Sequence, residues 1–286
     1  MIILDYNQVA IANLMTSGIT RHGGPAIPQE DLLRHMILNS IRMNKVKFGS
    51  DYGEMVIACD SRNYWRKDIF PYYKAARKRT RDDSGLDWNE IFRILNKVRD
   101  ELRDYFPYPV LNVETAEADD VIATLCHEHG RDLGGDPILI LSGDKDFMQL
   151  QKYANVSQFD PIRKKWVRTN NPVEYLMEHI LRGDAGDGIP NVLTEDDCFV
   201  SGARQRQMRA KFIDTVISEG TSQFNEEVTR NFHRNRQLID LDLVPTDLQN
   251  NIMNEYEGQS GKGRAKLFNY FIKHKLKNLT ENIGEF

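Results

Sequence analysis

The chain has 286 residues, 40% of them hydrophobic and 9% aromatic, with 19 Gly and 10 Pro. That size suits one large domain or a domain with a smaller lobe, and the composition excludes disordered and collagen-like chains. Lys and Arg number 38 against 42 Asp and Glu, a net charge of −4 that alone says nothing about nucleic acid.

No apolar run approaches the roughly 18 residues that cross a bilayer, and the start Met1-Ile2-Ile3-Leu4-Asp5 lacks the basic and long apolar regions of a signal peptide. A cytoplasmic protein without membrane association is expected. Cys59, Cys126 and Cys198 are isolated and odd in number, so they read as reduced thiols in or near the core, with neither a disulfide framework nor a structural zinc site.

In chain order, Ile2 to Leu4 reads as a buried strand ending in Asp5, and the Gly- and Pro-rich stretch from Ile19 to Pro28 as a surface loop. Leu32, Leu33, Met36, Ile37 and Ile41 recur at helical spacing. Met55 to Cys59 is a second strand, ending in Asp60. The stretch from Ser61 to Arg81 then carries Arg62, Arg66, Lys67, Lys74, Arg77, Lys78, Arg79 and Arg81 against the single acid Asp68, interleaved with Tyr64, Trp65, Phe70, Tyr72 and Tyr73. A helix follows on Ile91, Phe92, Leu95, Val98 and Leu102. A third strand, Val110 to Val113, leads into Glu114. Val121, Ile122 and Leu125 mark a helix with Thr115 as its expected N-cap. Ile138 to Leu141 is a fourth strand, ending in S-G-D-K-D.

Val156 to Phe159 and Trp166 to Arg168, joined by D-P-I-R-K-K, suit a hairpin. Asn171-Pro172 caps a helix with Val173, Leu176, Met177, Ile180 and Leu181 on one face, which Gly183 stops, and helical periodicity continues to the end. Strands alternating with helices predict an α/β core over residues 1–170, a mostly parallel central sheet with helices on both faces. A smaller helical lobe is expected over 171–286.

In such sheets ligands bind beyond the C-terminal strand ends, so Asp5, Asp60, Asp144 and Asp146 fall on one edge. Glu117, Asp119 and Asp120 open the helix after the third strand, at the positive end of its dipole. Asp184 and Asp187, three apart in G-D-A-G-D-G-I-P, can point the same way. So many carboxylates repel one another and require counter-charge. Hard divalent cations supply it, and with no His or Cys interleaved Mg²⁺ or Mn²⁺ fits better than zinc. A single Asp after a strand is ordinarily a turn or helix cap. What favours a metal site is that several strands in a row end in acids and that a doubled set follows the last. The basic, aromatic segment leaves the same edge. Its cations suit phosphates and its rings suit base faces, as a single-stranded nucleic-acid end requires; the alternative is a solvated helix face.

The motifs D-Y-N, A-C-D-S-R-N-Y-W-R-K-D, P-Y-Y-K, E-A-D-D-V-I-A, S-G-D-K-D-F-M-Q-L and G-D-A-G-D-G-I-P, in this order, resemble those of the flap endonuclease or 5′-nuclease superfamily, and within it the branch found in T-even phages. The resemblance covers essentially the whole chain, and although each motif is short, their order and spacing are specific. It implies a PIN-like core with a basic arch at about residues 61–85. It also implies a 5′→3′ exonuclease and flap endonuclease that removes RNA primers, a ribonuclease H activity, with adjoining DNA in lagging-strand replication. The implied chemistry is two-metal phosphodiester hydrolysis with Mg²⁺, for which Mn²⁺ substitutes, acting on DNA and RNA–DNA hybrids with 5′ flaps or nicks.

By match to the family motifs, Asp5, Asp60, Asp119 and Asp144 gather around a first metal with Glu117, and Asp146, Asp184 and Asp187 hold a second, while Asp120 supports the helix end. Arg66 and Lys74 would be the catalytic basic pair at the scissile phosphate, beside Asp119 and Asp144. Tyr73 would be a stacking residue, and Arg62, Arg77 and Lys78 would hold the strand. G-D-A-G-D-G-I-P resembles the start of a helix-three-turn-helix that grips duplex through backbone N–H groups, with Gly186 and Gly188 allowing close approach. The sequence then departs from the cellular pattern, reading N-V-L-T-E-D-D where a second Gly-rich turn is expected. Arg204 and Arg206, with Arg209 and Lys211, would take over duplex contacts or form a solvated face. The basic stretch from Lys262 to Lys277 would dock a single-strand-binding protein or sliding clamp. A monomer is expected, in the host cytoplasm for a phage protein.

Two rivals remain at this point. A haloacid-dehalogenase-type phosphatase also has an acid after the first strand, but it needs a second Asp two residues on, where this chain has Asn7, and it leaves the basic segment unexplained. A branched-DNA-binding module without catalytic metals is opposed by the intact acid set.

Overall fold

Ile2–Asp5 (β1) is buried along its whole length and is the strand on which the sheet is built. The computed structural model describes residues 1–16 and 29–286, so the loop expected over 19–28 lies outside the described residues. β1 pairs in parallel with Met55–Ala58 (β2) on one side and with Ile138–Leu141 (β4) on the other. Val110–Leu111 (β3) extends the sheet beyond β2, Val156–Asp160 (β5) beyond β4, and Lys165–Val167 (β6) closes the edge antiparallel to β5. The order is β3-β2-β1-β4-β5-β6. Apart from Asp5 at its end, β1 is apolar like β2 and β4, because both faces of the sheet are covered there. Alternate residues serve different cores: Ile2, Leu4, Ile57 and Leu139 face one, Ile3, Val56, Ala58 and Ile140 the other.

The first core is covered by Tyr6–Thr16 (α1), Glu30–Tyr52 (α2) and, beyond the short Arg66–Ile69 (α3) and Ala76–Asp82 (α4), by Trp88–Tyr105 (α5). The second lies under Ala118–His129 (α6). The N-cap of α6 is Glu117, not Thr115. Thr115 adopts a left-handed φ of 65°, turning the chain so that its carbonyl accepts the Trp65 N–H at 3.1 Å and the next accepts the Ser61 N–H at 2.8 Å. That turn joins the basic segment to the head of α6. A 3₁₀ helix, Lys145–Lys152, follows β4.

All elements after β6 are helical, as expected. Asn171 caps Pro172–Arg182 (α7) by accepting the Glu174 N–H, and Gly183, with φ 66°, ends it. Cys198–Ser201 (α8) is a single turn; Ala210–Glu219 (α9) and Glu226–Ile239 (α10) then complete a small separate core. The expectation of one lobe running to residue 286 is corrected by the packing. Leu241, Val244 and, from Thr246–Gly258 (α11), Leu248 and Ile252 return to the core under α6. Leu267–Lys273 (α12), Lys277–Glu281 (α13) and Phe286 return to the core under α5. Lys262 donates to the carbonyls of Arg103 and Tyr108, and Lys266 to that of Asp104, so part of the C-terminal basic cluster caps α5.

The three cysteines are buried and free. Among the described residues no helix is long and apolar enough to cross a membrane.

Candidate metal centre

Parallel register sets the strand ends side by side. Asp5 ends β1 opposite Ala58, Asp60 lies two residues past β2, and Asp144 caps the 3₁₀ helix after β4. Asp5 accepts from the Gln8 N–H at 3.1 Å and from Ser142 Oγ at 3.0 Å. Asp60 accepts from the Ala118 N–H at 2.8 Å and from Asn7 Nδ2 at 2.5 Å. Asn7, standing where a phosphatase of the rival type needs an acid, instead holds Asp60 in place.

Burial, then Asp60 and Asp144, pushes Asp5 up to about 7. Burial, then Asp144, pushes Asp146 up to about 8. Asp119 is raised by burial against the pull of Lys74, with Asp144, Glu117 and Asp146 adding to the rise. Carboxyl groups that hold their protons this firmly are an oxygen-donor set short of positive charge, and divalent cations fit it.

The basic segment faces the cleft differently from expectation. Arg66 is 2% exposed, and its guanidinium meets Glu117 at 2.9 Å, Asp120 at 2.8 Å and the Leu238 carbonyl at 2.9 Å. It sits behind the acids and offers nothing to a phosphate. Tyr73 is likewise buried, its hydroxyl at 3.0 Å from both Glu117 and Asp187, so it presents no face for stacking. Phe70 is buried in the core of α7, α9 and α10. Lys74 does point at the acids, 2.5 Å from Glu117 and 3.5 Å from Asp187. Burial opposes the ionisation of Glu117, but Lys74 and Arg66 outweigh it and hold the carboxyl below its usual range. Arg77 pairs with Asp187, while Arg62, Lys67, Lys78 and Tyr72 are exposed.

The turn after Gly183 is closed upon itself. Asp184 Oδ1 accepts the N–H groups of Gly186 and Asp187, the Asp184 carbonyl accepts that of Ile189, and Ala185 accepts that of Gly188. The amides of Gly186 and Gly188 expected to grip a duplex are therefore engaged within the turn. Gly188, at φ 74°, lets the turn approach the basic segment: a Cβ there would lie 3.0 Å from the Tyr72 carbonyl. The Lys74 N–H donates to the Asp187 carbonyl at 2.7 Å. Farther along, Arg206 pairs with Glu195 and Glu227, while Arg204 is exposed.

The set expected as a second metal site divides. Asp187 faces Tyr73, Lys74 and Arg77, whereas Asp146 and Asp184 flank His179, whose Nδ1 is 3.5 Å from Asp146 and Nε2 3.7 Å from Asp184. The expectation that no His is interleaved with the acids is thus corrected. α7 packs along the 3₁₀ helix, carrying His179 to Asp146. The sequence signal was a His one helical turn before Gly183-Asp184. Burial disfavours the imidazolium of His179, but the hydrogen bond to Asp184 and the charges of Asp146, Asp184 and Asp144 outweigh it and raise its pKa.

Residues 30–178 match the family of the 5′-3′ exonuclease N-terminal resolvase-like domain, and residues 172–286 that of the T4 RNase H C-terminal domain. The chain is 33% identical to Ribonuclease H of Enterobacteria phage T4, over 99% of this chain and 95% of that relative. The chain belongs to the 5′–3′ exonuclease family, in its phage T4 ribonuclease H branch.

Flap endonuclease Xni of a Shewanella species, another relative of this nuclease, is 30% identical over 45% of this chain and 48% of its own length. Two solved structures share the fold at 14% identity: the T5 5′-exonuclease with divalent metal ions (zinc), TM-score 0.62 over 92% of this chain and 98% of that one, and a T5 flap endonuclease complex with DNA and metal ions, TM-score 0.61 over 90% and 98%. In the nuclease described here, a cavity of about 600 Å³ opens beside Asp60, lined by Arg62, Tyr64, Arg81, Phe92 and Arg99 among others.

Proposed function

We propose that this member of the 5′–3′ exonuclease family is a Mg²⁺-dependent 5′-nuclease that cleaves 5′ flaps, nicked duplexes and RNA–DNA hybrids, removing RNA primers and adjoining DNA from the lagging strand. The observation that carries this reading is the convergence of carboxylates from five chain segments at the C-terminal edge of the sheet, beneath a basic segment fastened to them through Lys74 and Glu117. Asp5, Asp60, Asp119 and Asp144 would hold one cation, and Asp146 and Asp184 a second, with Asp187 beside it; Mn²⁺ substitutes. Bound there, the cations would supply a nucleophilic water at neutral pH and charge to stabilise the phosphodiester transition state.

The chain's own residues do the rest. Lys74 brings a fixed positive charge to the edge of the acid cluster, where a phosphate must approach. Glu117, held by Arg66, Tyr73 and Lys74, positions that ammonium. The exposed Arg62 and Lys78 meet phosphates of the incoming strand, and the cavity beside Asp60 has room for a nucleotide with Tyr64 and Phe92 in its wall. The protein acts as a monomer in the host cytoplasm. The exposed Lys273, Lys275 and Lys277 are the surface left for a single-strand-binding protein or sliding clamp.

The test is cleavage of a labelled 5′ flap and an RNA–DNA hybrid with Mg²⁺, with chelator and with Asp119→Asn, beside a small phosphomonoester. Short 5′ products that vanish with chelator and in the variant support the reading. Turnover of the phosphomonoester alone defeats it in favour of a phosphatase.

A further inference from the structure

His179 lies outside every motif that led to the nuclease reading, yet its ring stands between two of the carboxylates that reading assigns to a cation. One ligand atom from each of Asp146, His179 and Asp184 lies within 4.8 Å of the other two. The ring is only 13% exposed, and Nδ1 is buried without a hydrogen bond, the Asp146 carboxylate standing 3.5 Å from it. Tyr175, one turn earlier on α7, packs against it with ring centroids 5.8 Å apart, which fixes the imidazole over the two acids. A buried ring nitrogen that faces carboxylates at ion-pair distance without a hydrogen bond leaves its lone pair or proton for an ion or an acceptor to engage.

The two halves of the cleft thereby differ in chemistry. Asp5, Asp60, Asp119 and Asp144 offer oxygen alone, the set that Mg²⁺ takes while keeping several waters. Imidazole nitrogen suits Zn²⁺, Co²⁺ and Ni²⁺ far better than Mg²⁺. We propose that His179 is a nitrogen ligand of the second cation position and makes it selective for borderline-soft divalent cations such as Zn²⁺ and Co²⁺, while the all-oxygen position remains a Mg²⁺ site. One ring nitrogen faces the ion, and the other is left to donate to a carboxylate oxygen beside it, as ligating imidazoles commonly do. The assignment rests on the two-cation reading above and deepens it by naming the metal class.

The test is calorimetric titration of the full chain, without nucleic acid, with Co²⁺ and with Mg²⁺, read together with the visible d–d absorption of bound Co²⁺. His179→Gln should weaken Co²⁺ binding by about tenfold or more and shift its absorption, while Mg²⁺ affinity stays within about twofold. His179→Cys, which keeps a soft donor, should retain Co²⁺ affinity, and equal melting temperatures of the cation-free variants exclude a folding defect. Unchanged Co²⁺ affinity in His179→Gln, with Mg²⁺-dependent flap cleavage intact in the wild type, overturns the ligand assignment and leaves the nuclease reading standing. An equal change for both cations also overturns it, because His179 is then only a local charge. Mg²⁺ affinity and flap cleavage both untouched by Asp119→Asn would defeat the nuclease reading, and this assignment with it.

Discussion

Arg66 and Glu117, 51 residues apart in the chain, form a 2.9 Å ion pair in which neither side chain is more than 2% exposed. The same guanidinium also meets Asp120 and the carbonyl of Leu238 at the end of α10. One side chain therefore binds together the basic segment, the acids at the head of α6 and the small helical core.

Arg66→Met should cost about 3 to 5 kcal/mol of folding stability, because it leaves Glu117 and Asp120 buried without that counter-charge. Urea denaturation of the cation-free protein measures this. A loss below about 1 kcal/mol would mean that water reaches the acids and that the pair is not the fastening described.

Lys74 stands at the margin of the cleft, 10% exposed and shared between Glu117 and Asp187. Lys74→Met should lower single-turnover cleavage of a flap roughly 100-fold, the scale for losing one charge-stabilising donor, with little change in substrate affinity. Normal single-turnover cleavage with weakened binding would place Lys74 among the strand-holding residues instead.

Without cations, stability should fall as pH rises. Asp5 keeps its proton to about pH 7 and Asp146 to about pH 8 in the folded chain, whereas both ionise near about pH 4 when unfolded. The native state therefore binds more protons across that window, and the stabilisation present at its acid end is lost as pH passes the folded values. His179, also raised, acts in the same direction. The melting temperature in chelator should drop between about pH 5.5 and 8.5, and saturating Mg²⁺ should flatten or reverse the drop. Equal melting temperatures in chelator at both ends would contradict the raised carboxyl groups.

Affinity for branched DNA should fall steeply between about 50 and 200 mM salt, and Arg62→Ala or Lys78→Ala should each reduce the slope by about one. Arg77→Ala should change it less, since Asp187 already neutralises that guanidinium. Fluorescence anisotropy on an inactive Asp119→Asn background reads the slopes. A slope unaffected by Arg62 or Lys78 would remove the exposed face of the basic segment from the phosphate contacts.

The sheet and its acid edge were legible in the sequence because the signal is local. Apolar runs ending in Asp5, Asp60 and S-G-D-K-D mark strands, and parallel strands place such ends together whatever else the chain does. Asn171-Pro172 and Gly183 likewise announce α7 by capping chemistry that acts within one turn. What the tertiary structure alone decided is which way the ambiguous side chains face. Arg66, Tyr73 and Phe70 share a stretch with Arg62, Lys78 and Tyr72, and composition cannot separate them; distant partners do, at Glu117, Asp187 and the core of α7, α9 and α10. His179 joins the acids only because α7 packs along the 3₁₀ helix, and α11 to α13 leave the lobe only because their apolar faces fit cores built by α2, α5 and α6. Helical periodicity states that a face must be buried, and the surface that buries it is chosen by shape and charge far along the chain.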